Sequence, residues 1–116
     1  MATTSYKIDS YTIQLYANDL RGSLTRWAAQ VIYLYSGGKH IASAFFARAG
    51  TNAPDAVFSN GHIYFHAQGE QFEPVVDLLR NEKPVYISWV PFTDSSEPND
   101  GNAYFYCGQE PVGEGE

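Results

Sequence analysis

Apolar and polar positions alternate along most of the chain, which is the two-residue period of a half-buried β-strand. The run from Trp27 to Tyr35 is largely apolar on both faces, so we predict a central strand there. Gly37 and Gly38 follow it and allow the positive φ angles of a tight hairpin turn, and Asn60-Gly61 predicts a second hairpin. The predicted strands span Tyr6–Ala17, Trp27–Tyr35, His40–Arg48, Val57–Phe58, His62–Ala67, Val85–Pro91 and Ala103–Cys107.

One segment, at about residues 71–82, has the spacing of an amphipathic helix. Its apolar positions recur at intervals of three and four residues, at Phe72, Val75, Val76 and Leu79. Because proline lacks the backbone N–H and restricts the residue before it, we expect the helix to end before Pro84.

Together these elements predict a single α+β domain over residues 1–116. The expected architecture is a mostly antiparallel, curled sheet of five to six strands packed on the one helix. The stretch from His62 to Trp89 is long enough for a helical crossover, so one parallel strand pair has room to form there. A partly open barrel is the alternative arrangement of the same elements.

The balance of charge narrows the classes of partner. The formal net charge is −6, and the seven basic residues are scattered as singletons. Proteins bind duplex nucleic acid largely through Lys and Arg that neutralise phosphates, so we expect neither duplex nucleic acid nor an anionic membrane surface as a partner. The single cysteine, Cys107, cannot form an internal disulfide, and no signal-peptide pattern is present. These features predict a cytoplasmic protein.

Aromatic residues make up 16% of the sequence, and several predicted strands carry them on both faces. In a fold of one sheet and one helix, the helix covers one face of the sheet. Aromatic side chains on the other face would then form a patch that another surface or a ligand covers. We therefore predict a homodimer through the sheet face or a sheet edge. The candidate residues for binding a ligand or partner are Trp27, Tyr33, Tyr35, Tyr64, His66, Glu70 and Trp89.

The histidines are the first place to look for metal or acid–base chemistry. His62 and His66 have the spacing of a helical metal pair, but on a strand their Cα atoms would be roughly 13 Å apart at ~3.3 Å per residue, too far for one ion. His66, Glu70 and Glu73 could form a polar cluster, yet no nucleophile or oxyanion hole accompanies them. We therefore predict no catalytic residue, no metal ligand and no cofactor.

Three functional hypotheses remain open. The first is a non-catalytic interaction module that dimerises through its aromatic surface. The second is a small-ligand binder or enzyme with a pocket between sheet and helix, lined by Trp27, Tyr64, His66, Glu70 and Trp89. The third is an acidic inhibitor that binds a basic partner through Asp94, Glu97, Asp100 and the Glu-rich tail.

Two stretches resemble a group of small uncharacterised bacterial proteins. They are the run Leu79-Arg-Asn-Glu-Lys-Pro-Val-Tyr86 and the ending Glu110-Pro-Val-Gly-Glu-Gly-Glu116. The resemblance covers roughly the last third of the chain. It implies a bacterial origin, with the gene carried on a mobile cassette, and it assigns no activity and no binding residue.

Overall fold

The computed structural model describes residues 3–17, 27–92 and 99–108. In these ranges the chain forms eight strands and one α-helix. The strands are β1 (Thr4–Ile8), β2 (Ser10–Leu15), β3 (Ala28–Ser36), β4 (Lys39–Ala47), β5 (Ala56–Ser59), β6 (His62–Ala67), β7 (Val85–Pro91) and β8 (Asp100–Cys107), and the helix α1 (Phe72–Asn81) lies between β6 and β7.

All eight strands belong to one mixed sheet in the order β1-β7-β8-β5-β6-β4-β3-β2. The pair β4–β6 is parallel, and the other neighbouring pairs are antiparallel. The two outermost strands, β1 and β2, are consecutive in the chain and run in the same direction. One bent segment therefore pairs with β7 through its first half and with β3 through its second half, which nearly closes the sheet into a barrel.

Asp9 lies at the bend in this segment and joins it to the end of β3 and the turn that follows. Its backbone N–H donates to the carbonyl of Tyr35 over 2.8 Å, and its carboxylate accepts from the backbone N–H of Gly37. Partly buried and exposed residues alternate along this segment. The partly buried ones include Tyr6 and Ile8 before the bend and Tyr11 and Ile13 after it. The shift from even to odd positions requires one extra residue, as in a β-bulge.

The predicted architecture of five to six mostly antiparallel strands packed on one helix is wrong. The sheet has eight strands because Tyr6–Ala17 divides at Asp9 and because the short β5 joins β6 to β8. The parallel pair forms between β4 and β6, not across the helical crossover from His62 to Trp89. The alternative of a barrel agrees better with the structure, because a closed sheet encloses its own core and leaves the helix to cover one end.

The main core fills the barrel interior. Ile32, Leu34, Phe46, Ile63 and Ile87 are fully buried there. The helix connects the end of β6 to the start of β7, which lie at the same end of the barrel. It adds its apolar side chains to this core, as its predicted spacing requires: Phe72, Val75, Val76 and Leu79.

Several local predictions are confirmed. The helix lies within the predicted range, preceded by a short 3-10 turn at Gly69–Gln71. Asn60 and Gly61 have φ angles of 54° and 79°, as a type I′ hairpin turn between β5 and β6 requires. Among the described residues no helix has the length and apolarity to cross a membrane. Asp94, Glu97 and the Glu-rich tail lie outside the described residues.

Candidate functional site

Aromatic and histidine side chains form a continuous surface on the outside of the barrel. Alternate residues of β3, β4 and β6 point into the core, so the residues between them face outward. Phe45, with Ala28 and Val31, is buried on this outer side in a second, smaller core packed by Trp27 and Tyr64, among others. We call this surface the aromatic–histidine face and define it as Trp27, Tyr33, Tyr35, His40, Ser43, Phe45, His62, Tyr64 and His66.

The centre of this face is a hydrogen-bonded triplet that joins β4 to β6. The Oγ atom of Ser43 lies 3.1 Å from Nε2 of His40 and 3.0 Å from Nε2 of His62. The two imidazole rings meet edge-on with their centroids 4.5 Å apart. Burial, reinforced by repulsion from His40, lowers the pKa of His62 to about 4, so this ring is neutral at neutral pH.

A β-bulge in β4 makes the triplet possible. Residues three apart on a regular strand face opposite sides, so His40 and Ser43 would not meet. In the pairing of β3 with β4, Leu34 is opposite Ala42 and Tyr35 is opposite His40. Ile41 is therefore an extra residue, and it brings His40 and Ser43 onto one face.

His66 connects the aromatic–histidine face to the helix side of the barrel. Its ring packs edge-on against Trp27 at 5.1 Å between centroids, and its Nδ1 donates to the carbonyl of Asp55 over 2.9 Å. Burial lowers the pKa of His66, while the bond to Asp55 and the carboxylate of Asp100 oppose that shift. With Nδ1 as the donor, the neutral ring carries its lone pair on Nε2, which has no hydrogen-bond partner among the described residues.

A cavity of about 470 Å³ lies beside His66, between the helix and strands β6 and β8. β5 begins only at Ala56, so it does not extend between the later residues of β6 and β8. The rings of Phe65 and Phe105 meet edge-on across this gap, 4.8 Å apart. The cavity is lined by Phe65, His66, Gln71, Pro74, Val75, Leu78, Ala103, Tyr104 and Phe105.

Two further cavities have charged residues in their lining. One, of about 500 Å³, lies between the helix and the bent first segment, and it includes Lys7, Asp9, Glu82 and Lys83. The other, of about 340 Å³, lies at the ends of β3 and β4. Drug-sized ligands usually bind in mostly apolar cavities with a few convergent polar groups, and the cavity beside His66 is the one of these three whose described lining includes no Asp, Glu, Lys or Arg.

The structure brings five of the seven predicted site residues together and separates two. Trp27, Tyr33, Tyr35, Tyr64 and His66 all lie on the aromatic–histidine face. Two others lie elsewhere.

Trp89 is inside the barrel, 4% exposed and stacked on Phe58. Glu70 lies in the exposed 3-10 turn and lines the cavity of about 340 Å³, and it is not among the groups that shift the pKa of His66. The sequence did not single out His40 and Ser43, because the parallel register of β4 with β6 leaves no local signal.

The arrangement does not suit nucleophilic catalysis. Ser43 and His62 have the contact of a nucleophile and its base, but Ser43 is 2% exposed. A histidine with a pKa of about 4 is also a weak base at neutral pH. Among the residues that the structure describes, no group of three or more His, Cys, Asp or Glu is placed to hold a metal ion.

Comparison with protein-family models, curated proteins and solved structures gave no match.

Proposed function

We propose that this chain is a non-catalytic binding module that takes a small, mostly apolar ligand into the cavity between α1, β6 and β8. The observation that carries the proposal is the cavity of about 470 Å³. Its volume lies within the range of roughly 300 to 1,000 Å³ that is typical of small-molecule sites. Of the five residues that the second sequence hypothesis named for a pocket between sheet and helix, His66 alone lines this cavity.

The lining defines the class of ligand. No Asp, Glu, Lys or Arg is among the described residues that line the cavity, so a charged ligand would lose its hydration without a counter-charge. Phe65, Tyr104 and Phe105 supply aromatic surface, and the side chain of Gln71 offers both a donor and an acceptor. His66 also lines the cavity, and its Nε2 acceptor would suit a ligand with a hydrogen-bond donor. The expected ligand is an uncharged, ring-containing molecule with one such donor.

Adjacent leucines on the helix provide a matched test. Leu78 lines the cavity beside His66, and Leu79 lines the cavity of about 500 Å³ on the other side of the helix. We expect Leu78→Trp to obstruct ligand binding and Leu79→Trp to preserve it, with both variants folded by circular dichroism.

The measurement is a fragment library of uncharged aromatic compounds, screened by amide chemical shifts of the isotopically labelled chain. Binding that shifts residues around Phe65 and Phe105 and is lost in Leu78→Trp supports the proposal. Fragments that bind equally well to both variants, or no binding by any fragment, would refute it.

The predicted homodimer is a second candidate, and the aromatic–histidine face favours it. None of the nine side chains of this face is Asp, Glu, Lys or Arg, although the chain has a net charge of −6. Two copies could therefore approach through this face with little charge repulsion at the contact. The bacterial origin and cytoplasmic location expected from the sequence are compatible with either function and remain predictions.

Sedimentation analysis over a range of concentrations tests the dimer. Tyr35→Glu places a charge on the aromatic–histidine face, and Tyr106→Glu makes the same change on an exposed tyrosine of β8, outside that face. A dimer that dissociates in Tyr35→Glu and persists in Tyr106→Glu is the expected result. A monomer at all concentrations would remove this candidate without affecting the ligand cavity.

A further inference from the structure

We propose that His40 and His62, with the hydroxyl of Ser43 between them, form a surface site for a divalent transition-metal ion such as Zn²⁺, Ni²⁺ or Cu²⁺. The observation behind this proposal is the convergence of two imidazole nitrogens from different strands on one oxygen atom. The Nε2 atoms of His40 and His62 lie 3.1 Å and 3.0 Å from Ser43 Oγ. The site is separate from the proposed ligand cavity and does not depend on it.

The spacing of Ser43 Oγ from each imidazole nitrogen suits coordination as well as hydrogen bonding. With metal–ligand bonds of ~2.1 Å, neighbouring ligands at right angles around one ion are about 3.0 Å apart. The two nitrogens are each at this separation from Ser43 Oγ. Because Ser43 has one hydroxyl proton, one of the two Nε2 atoms donates to Oγ, and metal binding would require that ring to move its proton to Nδ1 and the exposed His40 ring to rotate slightly.

The surrounding rings hold the two imidazoles in place. His40 packs against Tyr33 and Tyr35, with 5.3 Å between centroids in each case. His62 packs against Tyr64 at 4.5 Å. Such packing restricts the side-chain rotations that metal binding would otherwise have to freeze, while the exposure of His40 leaves a path from solvent.

The chemistry of the ligand atoms indicates which cations the site can take. Imidazole ligands suit Zn²⁺, Ni²⁺ and Cu²⁺, whereas Mg²⁺ and Ca²⁺ prefer oxygen. Two imidazoles and a hydroxyl leave positions for water, so binding should be weaker than in a closed four-ligand zinc site.

The test is calorimetric titration of the untagged, full-length chain with Zn²⁺ or Ni²⁺ chloride at pH 7.5, with Mg²⁺ chloride as the negative control. We expect one ion per chain and no response to Mg²⁺. His40→Gln and His62→Gln should each weaken binding by about tenfold or more, since each removes one imidazole ligand. His66→Gln is the matched control on the same face, and its affinity should be unchanged.

Nuclear magnetic resonance of the amide groups in β4 and β6 provides a second measurement. It uses the parent chain, so it does not depend on whether a variant folds. Cu²⁺ should broaden the signals around Ser43 and His62 more strongly than those around His66. The proposal is overturned if the ions do not bind, if both glutamine variants retain full affinity, or if His66→Gln loses binding to the same extent.

Discussion

A single added methyl group at Gly101 tests the central packing of the barrel. Gly101 lies in β8, paired with Ala56 of β5 on one side and with Pro91 of β7 on the other. A Cβ atom there would lie well inside contact distance of the Val90 carbonyl oxygen and 2.8 Å from Cε2 and Nε1 of Trp89. Neither group can retreat easily, because the first is strand backbone and the second is a buried indole.

The size of the effect follows from this crowding. Overpacking of a core typically costs about 1 to 3 kcal/mol, and the upper end applies here because a backbone atom must move. For a chain of this length, about 3 kcal/mol corresponds to a decrease of roughly 10 to 15 °C in Tm. Gly37→Ala is the control, since its Cβ would meet nothing within 4 Å and only its φ of +58° opposes the substitution. That conformation costs a non-glycine residue about 1 kcal/mol.

Urea unfolding followed by tryptophan fluorescence, together with thermal unfolding by circular dichroism, measures both variants against the parent chain. Gly101→Ala should lose about three times as much unfolding free energy as Gly37→Ala, given the costs of overpacking and of a left-handed residue. If Gly101→Ala were as stable as Gly37→Ala or more stable, the position of Trp89 over β8 would be wrong.

Two further substitutions test the closure of the barrel and the histidine triplet. Asp9→Ala should lower the free energy of unfolding by about 1 kcal/mol, because the N–H of Gly37 loses its carboxylate acceptor; Asp77→Ala, at an exposed position on the helix, is the control in urea unfolding. His62 should make stability depend on pH. Its pKa is about 4 in the folded chain against 6.5 ordinarily, so the unfolded chain binds more protons between these values and stability falls from pH 6.5 to pH 4. The partly exposed ring reduces the loss to about 1 kcal/mol, and in chelator-treated buffer His62→Gln should show a shallower decline. A decline just as steep in that variant would contradict the assignment to His62.

Local structure was predictable from the sequence because its signals are local. The Asn60-Gly61 turn depends on the φ angles that those two residues tolerate, and the helix depends on the spacing of Phe72 to Leu79. Closure of the barrel depends on pairing between β1 and β7, which are far apart in the chain. The sequence shows one local sign of this closure. The partly buried positions shift from even to odd residue numbers at Asp9, and the prediction of a single strand over Tyr6–Ala17 did not take this shift into account.

The candidate sites show the same division. Trp27, Tyr64 and His66 were predicted as site residues and do lie together. Their prediction was possible because the alternation along a strand shows where aromatic residues occur on both of its faces. The strand spacing of His62 and His66 argued against these two histidines as a metal-binding pair. The pair that forms is His62 with His40, and it depends on the β4–β6 register and on the bulge at Ile41, neither of which is apparent in a linear pattern.

Trp89 illustrates how a surface prediction fails. When both faces of a strand carry apolar residues, the sequence does not indicate which face is buried, so the position of an aromatic residue such as Trp89 cannot be assigned. In the structure the indole is buried against Phe58, and its Nε1 has no hydrogen-bond partner among the described residues. The sheet closes over it, so it belongs to the core.

The central claim is that a small uncharged ligand binds between α1, β6 and β8, and intermolecular nuclear Overhauser effects test it most directly. A fragment that binds the labelled chain should show contacts to Phe65, Leu78 and Phe105, the residues that line the cavity of about 470 Å³. Contacts to Tyr33 and Tyr35 on the aromatic–histidine face instead, with none to Phe65, Leu78 and Phe105, would contradict the account.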